Sequence, residues 1–207
     1  MKRKGILITF EGIDGSGKST QLRMTEKYLR DKKYKVMVLR EPGSTSLAEN
    51  IRKILLHNKN KINASSELFL YEAARAELVC DVILPALQKG IIVLCDRYYD
   101  STTAYQGYGR GIDLKMIERL NNLAVGRAVP NLTFLVDIDY RTSLGRRKKV
   151  SDRLESESRR FFGRVRRGFL EIARNEKKRI MVLDGRKKEE AIFSEVVDCL
   201  RSRLKIK

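Results

Sequence analysis

Eight residues close to the N-terminus, Gly12-Ile13-Asp14-Gly15-Ser16-Gly17-Lys18-Ser19, match the pattern G-x-x-x-x-G-K-[ST]. This feature constrains the fold more than any other, because the pattern works only as a loop between a buried strand and a helix. Glycines permit turns that a Cβ would block. Successive N–H groups then converge on an anion, and the following helix adds the positive end of its dipole. The flanks agree: Gly5–Phe10 reads as a buried strand, and a helix is expected from about Lys18. Residue frequencies alone would give such a match in roughly one chain in a hundred of this length, and the strand–helix context lowers that further. Gly12, Asp14, Gly15, Ser16, Gly17, Lys18, Ser19 and Thr20 are therefore the expected cradle for the phosphates of a nucleoside triphosphate. Lys18 should reach the β- and γ-phosphates and the Ser19 hydroxyl should bind Mg²⁺.

Further apolar runs, Lys35–Arg40, Ile91–Cys95, Leu132–Asp137 and Arg179–Asp184, read as strands. Helical patterns cover Ser66–Lys89, Leu114–Ala124, Ser158–Asn175 and Glu189–Leu204. This alternation predicts an α/β protein of the P-loop NTPase fold, with a five-stranded parallel sheet flanked by helices. Ligands in such sheets bind at the carboxyl ends of the strands. The 207 residues show no repeat, no linker and no composition shift, so one domain over residues 1–207 is expected.

Composition narrows the function classes. A single histidine, His57, disfavours Ser-His-Asp and multi-histidine metal chemistry. Cys80, Cys95 and Cys199 are odd in number, widely spaced and without C-x-x-C, so they read as small buried hydrophobes in a reducing compartment. No run approaches a membrane span, and the apolar stretch behind Met1-Lys2-Arg3-Lys4 is short for a signal peptide. A cytoplasmic protein without a membrane partner is expected. The net charge of +18 favours anionic partners.

Two further segments fall at strand ends beside the phosphate loop: Arg40-Glu41-Pro42-Gly43 after the second strand and Asp96-Arg97-Tyr98 after the third. Arginines there suit a second anion next to the triphosphate, since a guanidinium fork pairs with phosphate bidentately. A GTPase would carry N-K-x-D, which the chain lacks. With Phe10-Glu11-Gly12 through Thr20-Gln21, Tyr71–Arg75, Ser101 to Gly111 and Asp152-Arg153-Leu154-Glu155, the chain resembles the thymidylate kinases, a branch of the nucleoside monophosphate kinases. The matching segments span most of the chain in the family's order.

The resemblance implies transfer of the γ-phosphoryl of MgATP to dTMP, giving ADP and dTDP. It implies that Asp14 contacts the acceptor's 3′-hydroxyl, that Tyr71 stacks on thymine where the family has phenylalanine, and that Arg75 reaches the base. Arg97 and Arg52 resemble contacts to the acceptor phosphate, Glu41 part of the same wall, and Thr102 and Gln106 polar contacts to the base. Tyr105 resembles the residue packed against the sugar's 2′ position, and Asp96 a carboxylate associated with Mg²⁺ alongside Ser19. A small basic lid is expected over about 146–160, with Arg146, Arg147, Lys148, Lys149, Arg153, Arg159 and Arg160, and Arg164 and Arg166 beyond it. One branch of the family has an arginine where this chain has Gly15. The other branch supplies lid arginines, so Arg153 joins Lys18 and Arg97 as the expected catalytic cations, with Arg147 in reserve. Ser44 replaces a common glycine and Tyr108 interrupts a glycine-rich run. The family is commonly homodimeric. Two rival readings remain: a kinase of another nucleotide or nucleoside, and a nucleic-acid-dependent ATPase suggested by the charge. No nucleic-acid motif supports the second, so no stable nucleic-acid partner is expected.

Overall fold

The first strand, β1 (Ile6–Glu11), is apolar at all but two positions and almost wholly buried. A strand covered on both faces belongs in the middle of a parallel sheet. In the computed structural model, which describes residues 5–57, 61–147 and 153–206, β1 lies between β3 (Ile92–Asp96) and β4 (Leu132–Asp137). The edges are β2 (Val36–Arg40) and β5 (Ile180–Asp184), giving the order β2-β3-β1-β4-β5, all parallel. All five expected strands form. Registers Phe10↔Asp96 and Arg40↔Asp96 bring the carboxyl ends of β1, β2 and β3 level, which sets the phosphate loop beside both arginine-bearing segments.

Alternating side chains of β1 serve two layers. Ile8 and Phe10 pack with Leu22 and Leu29 of α1 (Lys18–Asp31) and Val196 and Leu200 of α9 (Glu189–Leu204). Leu7 packs on the other face with Val93, Leu78 and Ile83. Between the layers' polar positions, Thr9 and Thr133 hydroxyls bond at 2.7 Å, so neither is left unpaired inside the sheet.

The expected helix over Ser66–Lys89 is α3 (Ala64–Leu78), a wide π-type turn at Val79–Ile83, and α4 (Leu84–Gln88). Pro85 sits at the start of α4, where its missing N–H costs least. Three helices stand beyond those expected from the sequence: α2 (Ser46–His57), whose Ala48, Ile51 and Leu55 form a buried face at helical spacing, α5 (Tyr99–Thr102) continuing into a wide turn at Thr103–Gly109, and α7 (Tyr140–Arg146). The remaining pair, α6 (Leu114–Val125) and α8 (Arg159–Asn175), agree with expectation, capped by Asp113 and Ser158. The buried face of α8 carries Phe161, Phe162, Val165 and Phe169 at helical spacing. Its Gly168 leaves room for Tyr108, whose ring would lie 2.7 Å from an added Cβ. That packing explains why an aromatic is accommodated in the glycine-rich run.

Cys95 and Cys199 are buried as expected, but Cys80 is exposed, because it lies on the outer side of the wide turn. No described helix is long and apolar enough to cross a membrane. Lys148, Lys149 and Asp152 of the expected lid lie outside the described residues.

Candidate active site

The loop between β1 and α1 is built to hold an anion. Gly12, Gly15 and Gly17 have φ of 137°, 76° and 98°, values an L side chain resists. Gly17 caps α1 with no side-chain acceptor, and the first turn contains no acid, so its N–H groups stay open. At Gly15 a Cβ would lie 2.9 Å from the Ser143 carbonyl, because α7 rests on the loop. Ser143 Oγ donates to the Asp14 carbonyl at 2.6 Å, and the Arg147 guanidinium donates to Ser143 Oγ at 2.7 Å. Arg147 also lies 4.7 Å over the Phe162 ring.

A cavity opens from this loop toward α3. Asp14, Glu41, Arg52, Tyr71, Arg75, Arg97, Thr102, Tyr105 and Gln106 all line it, with Lys18, Ser19 and Asp96. The sequence thus assembled one cavity from residues far apart in the chain. Of the residues expected in the phosphate cradle, Thr20, Gly12, Gly15, Ser16 and Gly17 do not line this cavity. Arg153 is absent too. Its guanidinium pairs with Glu67 and donates to the Leu55 carbonyl at 3.1 Å. Arg147 reaches the phosphate loop only through Ser143, and Arg146 packs nearer, its Cβ 3.5 Å from where a Cβ on Gly15 would lie, whereas Arg153 is engaged with Glu67.

At the mouth, Arg97 pairs with Asp14 at 2.7 Å and Lys18 approaches the same oxygen at 3.4 Å. Burial opposes ionisation of Asp14, but Arg97 and Lys18 outweigh it and hold the carboxyl well below its usual range. Arg97 itself has φ 68° and rests over the Tyr105 ring at 5.2 Å. Behind it, buried Glu11 accepts from Tyr98 N at 2.7 Å and Ser101 Oγ at 2.6 Å, and Arg97 donates to the same Ser101 hydroxyl at 3.0 Å. Burial and neighbouring Asp100 push Glu11 up to about 8. Ser19 Oγ donates to Asp96 Oδ2 at 2.5 Å. These two hard oxygen donors fit a Mg²⁺ ion that takes its remaining ligands from phosphate and water. Among the described residues there is no cluster of three or more His, Cys, Asp or Glu that would hold a metal without substrate oxygens.

The deep wall is different. Arg75 is 2% exposed and donates to Glu41 at 2.9 Å, Glu72 at 2.9 Å, Thr102 Oγ1 at 2.9 Å and Asn121 Oδ1 at 3.3 Å. Two carboxylates share this one guanidinium, and burial pushes Glu41 up to about 7 despite Arg75. The segment after β2 closes the wall. Arg52 donates to the Pro42 carbonyl at 2.9 Å. Ser44 adopts φ 72°, which is why glycine is common there. Here Arg40 N donates to its hydroxyl, and its own N–H donates to Glu49 at 2.8 Å.

A sequence model described as Thymidylate kinase matches residues 10–196. The chain belongs to the thymidylate kinase family. Its relatives include the thymidylate kinase of Kosmotoga olearia, 46% identical over 194 residues and covering 93% of each chain. That of Sulfurihydrogenibium sp. is 46% identical over 200 residues, covering 96% of this chain and 98% of the relative. The crystal structure of thymidylate kinase from Ehrlichia chaffeensis matches with a TM-score of 0.79 and 37% identity, over 96% of this chain and 99% of that one.

Within this family member, sequence reasoning missed several supporting residues. Glu72 stood three residues before Arg75, a spacing that pairs on a helix. Glu11 lay within a quoted motif but had no assigned role. Glu67, Asn121 and Ser143 gave no local signal, since their partners are far along the chain.

Proposed function

We propose that this protein is an ATP:dTMP phosphotransferase whose catalytic groups are Lys18, Arg97 and a lid-side arginine. The observation that carries this reading is the single cavity that joins the phosphate loop to the Arg97 and Arg75 walls. ATP phosphates fit the loop and the open end of α1, with Lys18 on the β- and γ-phosphates. The acceptor lies between Arg97 and Arg52 at its phosphate, Tyr105 and Asp14 at its sugar, and Tyr71, Arg75, Thr102 and Gln106 at its base. Ser19 and Asp96 would hold Mg²⁺, which when bound offsets charge on the β- and γ-phosphates. The acceptor's phosphate oxygen attacks the γ-phosphorus, and the bond to the β-phosphate oxygen breaks. That nucleophile is already ionised near neutral pH, so no general base is needed. The residues contribute alignment and charge neutralisation. Arg97 releases Asp14 to the acceptor sugar as it takes the acceptor phosphate.

Arg147 supplies the lid-side charge from its position just after α7, and Arg153 does so once it leaves Glu67. We further read the protein as one catalytic domain with a lid at about 146–160, acting in the cytoplasm as a homodimer. Exposed Phe69 on α3 and Met116 and Leu123 on α6 support self-association. Light scattering of the purified chain tests the dimer.

ADP release with MgATP and a panel of dTMP, dUMP, dCMP, dGMP, thymidine and single-stranded DNA tests the reaction. A strong preference for dTMP is expected, and stimulation by DNA alone would overturn it. Lys18→Ala should lower kcat by about a thousandfold or more with the melting temperature little changed. A folded, fully active variant would remove Lys18 from the mechanism.

A further inference from the structure

Glu67 touches neither phosphate loop nor strand end, yet it is fully buried in the first turn of α3. Its carboxylate accepts from Nε and Nη2 of Arg110, each at 3.1 Å, from Arg153, and from Gln106 Nε2 at 2.8 Å. Burial opposes its ionisation, but these donors prevail and lower its pKa. An ionised carboxylate only accepts hydrogen bonds. The end of the Gln106 amide that meets Glu67 must therefore be the NH₂, whichever way the amide could otherwise turn. Gln106 lines the cavity and Glu67 does not. Among the described residues, none bonds to Gln106 Oε1, and that oxygen is not sealed from the cavity.

We propose that Glu67 is a specificity-determining positioning residue: it locks the Gln106 amide so that only a carbonyl oxygen, an acceptor, faces the acceptor base. This rests on the phosphotransferase reading above. Such an oxygen pairs with an imide N3–H, present in thymine and uracil. Cytosine presents a lone pair at that position, and the two acceptors repel. A buried site built for one hydrogen-bond pattern rejects the reversed pattern more strongly than it rejects a change in size. Thr102 stands one helical turn before Gln106 and is held by the donor-only Arg75, so the same wall presents a donor beside the acceptor. That order matches a C=O next to an N–H.

Glu67→Gln removes the lock, because a glutamine at that position can donate as well as accept and the Gln106 amide is free to turn. The test is kcat/KM of the full chain with MgATP and dTMP, dUMP or dCMP, for wild type, Glu67→Gln and Gln106→Met. The dTMP:dCMP ratio should fall by about tenfold or more in Glu67→Gln. The dTMP:dUMP ratio should stay constant, since both bases carry N3–H. Released Arg110 and Arg153 affect all acceptors alike and cancel in these ratios. Gln106→Met, with Glu67 intact, should show the same selective fall, and it carries the test alone if Glu67→Gln does not fold. A dTMP:dCMP ratio within about twofold of wild type in either folded variant would overturn the proposal. So would an equal fall in both ratios, which marks a merely structural role. A wild-type protein without preference for dTMP would instead overturn the reaction assigned above, before any variant is compared.

Discussion

The mouth of the cavity and its deep wall handle charge in opposite ways. At the mouth, Asp14 is partly exposed and held ionised by Arg97 and Lys18, below its usual range. At the wall, Glu41 is sealed in with Arg75 and pushed up to about 7, and Glu11 behind the mouth is pushed up to about 8. The mouth's cations rest on one shared carboxylate that a phosphate can displace. The wall's cation is saturated by four fixed partners. Chemistry that moves charge needs replaceable partners, while recognition needs partners that do not move. The same residue type, arginine, serves both purposes because its environment differs.

The sharpest way to break this contrast is to remove one arginine from each region. Arg75→Met should destabilise the fold by about 3–5 kcal/mol, because Glu41 and Glu72 lose their shared cation inside the protein. Arg97→Ala should lower kcat/KM for dTMP by about a thousandfold, close to 4 kcal/mol. Its effect on chemical denaturation should be under about 1 kcal/mol, because Asp14 can face solvent and keeps Lys18. Denaturation curves and steady-state kinetics on both variants decide it. If Arg97→Ala unfolds as readily as Arg75→Met, the mouth is as structural as the wall and the contrast fails.

The next effect in size lies at the lid. Arg147 bonds to the residue that holds the phosphate loop, whereas Arg153 bonds to Glu67. Arg147→Ala should therefore lower kcat by about ten- to a hundredfold with a smaller rise in KM for dTMP. Arg153→Ala should cost less if it acts only after leaving Glu67. Single-turnover rates separate chemistry from product release. A larger loss in Arg153→Ala would return the catalytic role to that residue.

How legible these parts were depends on the range of the interactions that make them. Strands such as Ile92–Asp96 and the loop Gly12–Ser19 announce themselves through runs and spacings within a few residues. The cavity's contact residues were readable because their motifs survive in order along the chain. Helix α2 also carried its signal, with Ala48, Ile51 and Leu55 at helical spacing on one buried face, although no strand or motif needed it. The wide turn at Thr103–Gly109 breaks the 3.6-residue period that a pattern search needs. Arg153 shows the limit most clearly: its motif is intact, but its partner Glu67 lies 86 residues away, and only the fold reveals that it is engaged elsewhere.

The smallest expected effect concerns Glu11, and it is read as a slope. Its folded pKa of about 8 lies above the 4.5 of an unperturbed glutamate, owing to burial and to Asp100. The folded state therefore holds more protons than the unfolded state across that interval. The stability from this group is fully present below about 4.5 and is lost as pH rises through about 8. Glutamine mimics the protonated carboxyl, with one acceptor for Tyr98 N and one donor for Ser101 Oγ. Glu11→Gln should match wild type near pH 5 and exceed its stability by about 1–2 kcal/mol near pH 9, less than the full shift would give because relaxation and water penetration soften the cost of a buried charge. Urea denaturation at a series of pH values gives the difference curve, in which other titrating groups cancel. Parallel curves would mean that Glu11 is ionised in the folded protein throughout. It would then belong with Asp14 among the carboxylates held down by Arg97, and the division between mouth and interior would have to be drawn behind Glu11 rather than in front of it.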